Sequence, residues 1–192
     1  SLELAKKISA VVLDKTGTIT EGRPKVSGIQ WLNNTDVSKT ILFSIEKQSE
    51  HPLAEAVVNH LGDISAVPLS NFESITGKGA KAIHTNETYL VGNKKLMMEN
   101  TISIDEVLQQ KANEWSMQSK TVIWFSDSQQ ALAVVAISDQ LKETSIDAIK
   151  QMQDMGIELY MLTGDNEATA KAIASQTGIK HYKAEVLPQH KA

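Results

Sequence analysis

Ile8, Ala10, Val11, Val12 and Leu13 form an apolar run that ends abruptly in Asp14-Lys15-Thr16-Gly17-Thr18. A short, nearly continuous apolar run is the pattern of a strand buried on both faces of a parallel sheet, so it predicts a β-strand whose carboxyl end brings Asp14 to the surface. In α/β folds that edge of the sheet is where ligands bind. An aspartate with an ordinary pKa of about 3.9 is already an anion at neutral pH, and it can attack phosphorus without a general base. Two anions then have to meet, so the neighbours must be cationic or must donate hydrogen bonds. Lys15, the hydroxyls of Thr16 and Thr18 and the N–H groups of a turn at Gly17 answer that need. Mg²⁺, held at Asp14 and Thr16, is the remaining requirement. Asp14 is therefore a candidate phosphoryl acceptor.

The chain has 192 residues, 41% apolar and 22% charged, enough for one good core or two modest ones. A net charge of -4 without a cluster of lysine or arginine argues against nucleic acid or an anionic membrane as partner. Cysteine is absent, which excludes a disulfide framework and thiolate metal sites. No apolar stretch approaches the roughly 18 residues of a membrane span, and no signal-peptide pattern opens the chain, so no direct membrane insertion is expected.

Two grammars alternate along the sequence. After Gly22-Arg23-Pro24, a plausible linker or domain crossing, a short strand is expected through Val26, Ile29 and Trp31. Helical spacing follows between Asp36 and Lys47, with Val37, Ile41, Leu42 and Ile45. A second helix is expected from Pro52, carrying Leu53, Ala56, Val57, His60 and Leu61 on one face. Alternation then predicts strands over 67–74, 80–85 and 88–91, with turns at Gly77-Lys78-Gly79 and Asn86-Glu87. Ser103-Ile104-Asp105-Glu106 reads as a capping box opening a helix with the stripe Ile104, Val107, Leu108, Ala112 and Trp115. Strands over 121–126 and 131–137 complete this stretch, joined across Asp127-Ser128. From residue 138 the pattern becomes βαβ: a helix with Ile146 and Ile149 ending near Gly156, a strand over 157–162, then a helix with Ala172 and Ile173 up to Gly178. The fold class is α/β, a parallel-sheet domain formed by 1–28 and 138–192 and interrupted by an α+β insertion, 29–137, with an antiparallel sheet.

The second βαβ strand runs into Thr163-Gly164-Asp165. Strand ends of one parallel sheet lie together, so Asp14 and Thr163 are expected to converge on one phosphate although about 150 residues separate them. Thr163 offers a hydroxyl, Gly164 a closely approaching N–H, and Asp165 a lysine-orienting carboxylate or a helix cap.

Asp14 to Thr18, continued by Ile19-Thr20-Glu21-Gly22, resembles the phosphorylation motif of the P-type ATPases. Met161-Leu162-Thr163-Gly164-Asp165-Asn166 resembles the same family within the wider haloacid dehalogenase superfamily. That resemblance implies a haloacid dehalogenase-like phosphorylation domain interrupted by a nucleotide-binding domain, with ATP and Mg²⁺ as cofactors. Superfamily phosphatases that resemble this fold carry a second Asp two residues after the nucleophile, which speeds hydrolysis of the acyl phosphate. Here that residue is Thr16, whose hydroxyl is no base at neutral pH, so the pump is favoured over the phosphatase alternative.

No stretch fits a P-loop. Ser49-Glu50-His51-Pro52-Leu53-Ala54 is similar to the nucleotide-domain motif of the heavy-metal-transporting branch, which implies that His51 orients the nucleotide near its adenine. The same resemblance assigns Glu46, the pair Gly77 and Gly79, and Gly92 with Asn93 to that site. Paired glycines let backbone N–H groups approach a ligand, and a glutamate could accept from the adenine amino group. Gly77-Lys78-Gly79-Ala80-Lys81-Ala82 also fits a relaxed dinucleotide fingerprint, but that motif requires a helix at its third position, where this sequence predicts a strand.

His60, His84, His181 and His190 show no ligand spacing. Asp139 fits a structural or an active-site role, and Lys191 matches the position of the family's phosphate-binding lysine. The resemblance implies the cytoplasmic portion of a copper exporter, monomeric, working with membrane and actuator domains of the same polypeptide. The family's Gly-Asp-Gly hinge and Asn-Asp pair are not reached within 192 residues. An incomplete phosphorylation domain and slow phosphorylation are therefore expected, with a nucleotide-binding module without turnover as the alternative.

Overall fold

The computed structural model describes residues 8–118, 120–164 and 167–186. By internal contacts the chain divides into two compact units, one of the residues up to Arg23 together with those from Asp139 onward, the other spanning Pro24–Ser138.

The first unit is built on a parallel three-stranded sheet. Strand β1 (Ala10–Asp14) pairs with β8 (Glu158–Leu162), and β8 pairs with β9 (His181–Lys183), giving the order β1-β8-β9. Helices α5 (Ser145–Asp154) and α6 (Glu167–Thr177) precede and follow β8. Leu159 and Met161, two apart on β8, are buried with Ile149 of α5 and Ala170 and Ala174 of α6. Residues two apart on a strand share a face, so this alternation sends half of β8 into the core. The short β9 was not foreseen, because three residues carry too little pattern to be read.

The second unit holds an antiparallel sheet in the order β2-β7-β6-β5-β4-β3. Its strands are β2 (Thr20–Trp31), β3 (Ser70–Ile75), β4 (Gly79–His84), β5 (Glu87–Gly92), β6 (Thr121–Ser126) and β7 (Ala131–Leu141). Helices α1 (Asp36–Glu46) and α2 (Pro52–Leu61) cover one face, and α3 (Lys94–Glu99) with α4 (Glu106–Met117) the other. Strand β7 shows why both faces need cover: Ala133, Val135 and Ile137 join the cluster of α1 and α2, while Val134 and Ala136 join that of α3 and α4. Phe125 anchors the first cluster, stacked on Tyr89 and edge-on to Trp31. Among the described residues no helix is long and apolar enough to cross a membrane.

Several expectations are corrected or sharpened. Gly22-Arg23-Pro24 is a domain crossing, since the division between the two units falls between Arg23 and Pro24, but it is strand rather than linker: it belongs to β2, an edge strand, where the missing N–H of Pro24 breaks no inner ladder. The strand expected from Val67 begins at Ser70, after Pro68. Asp105, not Ser103, caps α4: its side chain accepts from Val107 N at 2.8 Å, while the Ser103 backbone bonds to Gln129 and Ala131 across the β6–β7 turn. Val107 and Ile146, expected in apolar stripes, are 58% and 45% exposed, and His60 is exposed too.

The close approach of β4 to β5 shapes the second unit most sharply. Gly79 and Gly92 are register partners, and a Cβ on Gly79 would lie 2.0 Å from the Val91 carbonyl oxygen. At Gly77, whose φ is 70°, an added Cβ would meet open space. Gly79→Ala is expected to lose about 3 kcal/mol or more in denaturant unfolding, against about 1 kcal/mol for Gly77→Ala, where only the left-handed backbone is penalised. Equal losses would contradict this account of the strand approach.

Candidate functional site

Each unit contributes a candidate site of its own. In the first, the parallel register sets Asp14 opposite Leu162, so the Asp14 loop and Thr163-Gly164 leave neighbouring strands at the same edge of the sheet. The two strand ends expected to converge are therefore adjacent. Thr163 is fully buried, donates its N–H to Lys183 O at 3.1 Å and accepts from Val186 N at 3.0 Å, while Gly164 is exposed. Lys15 is buried, and Thr16, Gly17 and Thr18 are exposed. Asp165 and Lys191 lie outside the described residues.

The loop after Asp14 is a tight turn through Gly17 (φ 77°), closed by the Thr20 N–H donating to Lys15 O. The Thr20 hydroxyl lies 2.5 Å from Asp139 Oδ2 and 3.0 Å from Lys15 O; its single proton serves one acceptor at a time, and the carboxylate is the nearer. Asp139 Oδ1 also accepts from Gly22 N at 3.0 Å. On the far side, Lys142 Nζ donates to Gly17 O at 2.6 Å, and the Ser145 hydroxyl and Lys142 N both donate to Ile19 O. Asp139, open between two roles in the sequence, thus braces the loop that follows Asp14. Lys142 and Ser145 carried no sequence signal, because nothing in a single chain links residues 17 and 142 until the sheet is assembled.

In the second unit a cavity of about 460 Å³ gathers Glu46, His51, Gly77, Gly79, Gly92 and Asn93. These residues come from the end of α1, the start of α2, the β3–β4 turn and the end of β5. Ile75, Ala80, Val91, Val122 and Ile123 supply apolar wall, Ser49, Leu53 and Ala54 join from the motif around His51, and Thr76, Lys78 and Thr121 are lining residues to which the sequence assigned no role. His51 caps α2, its Nδ1 accepting from Leu53 N at 3.2 Å. That bond assigns the ring proton to Nε2, which makes Nε2 the donor toward a ligand. Asn93 lines the cavity and also has a structural part: its Oδ1 accepts from Leu96 N and its Nδ2 donates to Gly77 O at 2.9 Å, so it caps α3 and holds the glycine turn.

Glu46 is buried, and desolvation pushes its carboxyl from 4.5 up to about 7. An uncharged carboxyl both donates and accepts, which suits the edge of a heterocyclic base. The ionised form is penalised only in the folded chain. The associated stability is therefore complete below 4.5 and lost as pH rises through about 7. Glu46→Gln, which stays neutral, is expected to match wild type near pH ~4 and to exceed its stability by about 3 kcal/mol above pH ~8. A pH-independent difference in denaturant melts would contradict the shift.

Comparison with known proteins places these features. Residues 8–191 match the family described as haloacid dehalogenase-like hydrolase. A copper-exporting P-type ATPase of Staphylococcus aureus (strain bovine RF122 / ET3-1) is 40% identical over 193 aligned residues, covering 100% of this chain and 24% of the relative. The chain thus spans about a quarter of the length of the curated relatives it matches. The crystal structure of a zinc-transporting PIB-type ATPase in the E2.Pi state superposes with a TM-score of 0.79 at 27% identity, over 99% of this chain and 31% of that one. The catalytic domain of the CPx-ATPase CopB-B shares the fold, with a TM-score of 0.70 at 22% identity over 100% of this chain and 69% of that one.

Proposed function

We propose that this chain, which belongs to the haloacid dehalogenase-like hydrolase family, is the ATP-gripping and phosphoryl-accepting portion of a heavy-metal-transporting P-type ATPase. Copper is the ion favoured, on the 40% identity over the whole chain to a copper-exporting relative. The observation that carries this reading is the assembly of Glu46, His51 and the glycines 77, 79 and 92 around one cavity from four separate segments. The apolar wall and the Glu46 carboxyl receive adenine, the His51 Nε2–H orients the nucleotide, and the backbone at Gly77 and Gly79 admits close approach. The domain division that goes with it is 29–137 for nucleotide and 1–28 with 138–192 for phosphorylation.

Transfer then forms a bond between an Asp14 carboxylate oxygen and the γ-phosphorus and breaks the bond to the β,γ-bridging oxygen, which leaves with ADP. Thr163 and Gly164, at the same sheet edge, hydrogen-bond the transferring oxygens. Asp139, Thr20, Lys142 and Ser145 fix the loop that presents Asp14. Among the described residues no group of three His, Cys, Asp or Glu could hold a metal alone. Asp14 and Thr16 would instead hold Mg²⁺ together with phosphate oxygens and water, the usual habit of that ion, which neutralises charge when bound. Thr16 is exposed, and its hydroxyl cannot act as the base that discharges an acyl phosphate, which disfavours the phosphatase reading. In the parent, cytoplasmic placement and coupling to membrane and actuator domains follow from the same reading.

Incubation with γ-labelled ATP is expected to leave acid-stable, hydroxylamine-labile label on wild type and none on Asp14→Asn. Equal labelling of both would remove Asp14 as acceptor. In calorimetric titration, His51→Ala is expected to bind ATP about tenfold more weakly than wild type, and unchanged affinity would remove the cavity as the nucleotide site.

A further inference from the structure

Among the described residues lining the cavity, Lys78 is the only lysine or arginine. A nucleotide brings several negative charges, and no P-loop is present to cradle them, so a single cation at the wall has a disproportionate effect on which nucleotides bind. Resting on the reading of this cavity as a nucleotide site, we propose that Lys78 is its phosphate-sensing residue, and that Glu99 is a competing counter-ion holding the Lys78 ammonium until nucleotide phosphate displaces it.

The backbone of Lys78 is pinned. Its N–H donates to Ile75 O at 2.9 Å, and its carbonyl accepts from Asn93 N at 2.8 Å. A Cβ on Gly92 would stand 2.2 Å from that same carbonyl oxygen, so the turn sits against β5 with no room for a side chain between them. What remains mobile is the four-carbon stem, able to swing a charge over several ångströms from a fixed root.

That charge is committed to Glu99, the last residue of α3. Lys78 Nζ lies 2.6 Å from Glu99 Oε2, with side chains 31% and 41% exposed. An ion pair this open to water is weak and exchangeable. A di- or triphosphate offers more charge than one carboxylate, so it wins the ammonium, whereas a nucleoside has nothing to offer it. Glu99 is not abandoned by the exchange. Its carboxyl is held below the usual range first by the hydrogen bond from Lys78, and also by the charge of Lys95 beside it, which stays in place when Lys78 leaves. Glu99 thus sets a threshold, because ligands without phosphate cannot recruit Lys78.

Isothermal titration of the whole chain with adenosine and with ATP, in wild type, Lys78→Met and Glu99→Gln, tests this. Lys78→Met is expected to weaken ATP about tenfold and to leave adenosine within about twofold of wild type. Glu99→Gln is expected to tighten ATP about two- to threefold, with adenosine again unchanged, because the competitor is gone. Lys78→Met that alters both ligands by the same factor, or neither, overturns the proposal while leaving the cavity as a nucleotide site. A wild-type chain that binds neither ligand overturns the cavity reading itself, and this inference with it.

Discussion

Parallel pairing of β1 with β8 is the constraint on which the proposed acceptor site depends. Because parallel strands end on the same side, the register that sets Asp14 against Leu162 also sets the loops beyond them side by side. Residues about 150 positions apart become neighbours through five register pairs. The loop that follows Asp14 is then held by bonds that ignore sequence distance: Asp139 on Thr20 and Gly22, Lys142 on Gly17, Ser145 on Ile19. On the proposed reading, where the Asp14 carboxylate approaches another anion, such bracing is needed, because any slack in the loop lets repulsion push the two apart.

The cavity of the inserted unit rests on a different constraint, close approach. Glycine at 79 and 92 lets the turn carrying Lys78 lie against β5, and Asn93 fastens it from the other side. Around that rigid turn the wall carries two unlike groups. Glu46 is buried enough to rise to about 7, a cost to folding at neutral pH that an apolar residue would avoid. Lys78 is half in water and paired with a carboxylate it can leave. On the proposed reading, one group meets a base edge and the other phosphate.

The sequence was most legible where pattern and chemistry coincide. The helices α1 and α2 and the βαβ alternation after residue 138 could be read from periodicity; the apolar run into Asp14 predicted the strand correctly but not its burial on both faces, since β1 ends the order β1-β8-β9 and Val12 is 60% exposed. The residues of the cavity could be read only through family resemblance, since a lone Glu46 or a glycine pair has many bland meanings. What escaped was set by tertiary contact. The braces Lys142 and Ser145 act on backbone carbonyls, which leave no trace in residue type. The capping-box reading failed because the backbone of Ser103 is claimed by the β6–β7 turn, and only the assembled sheet reveals that competition. At Gly22-Arg23-Pro24 the domain crossing was legible and its strand conformation was not, because an edge strand forgives proline.

The central claim is that the inserted unit grips the nucleotide through one cavity, while Asp14 awaits the phosphate in the other unit. Amide chemical-shift mapping of the isotope-labelled chain, titrated with a non-hydrolysable ATP analogue, tests the grip most directly. The account predicts the largest shifts at Gly77, Lys78, Gly79 and Gly92 and at Ala54 beside His51. Shifts that gather elsewhere while those amides stay still would contradict it.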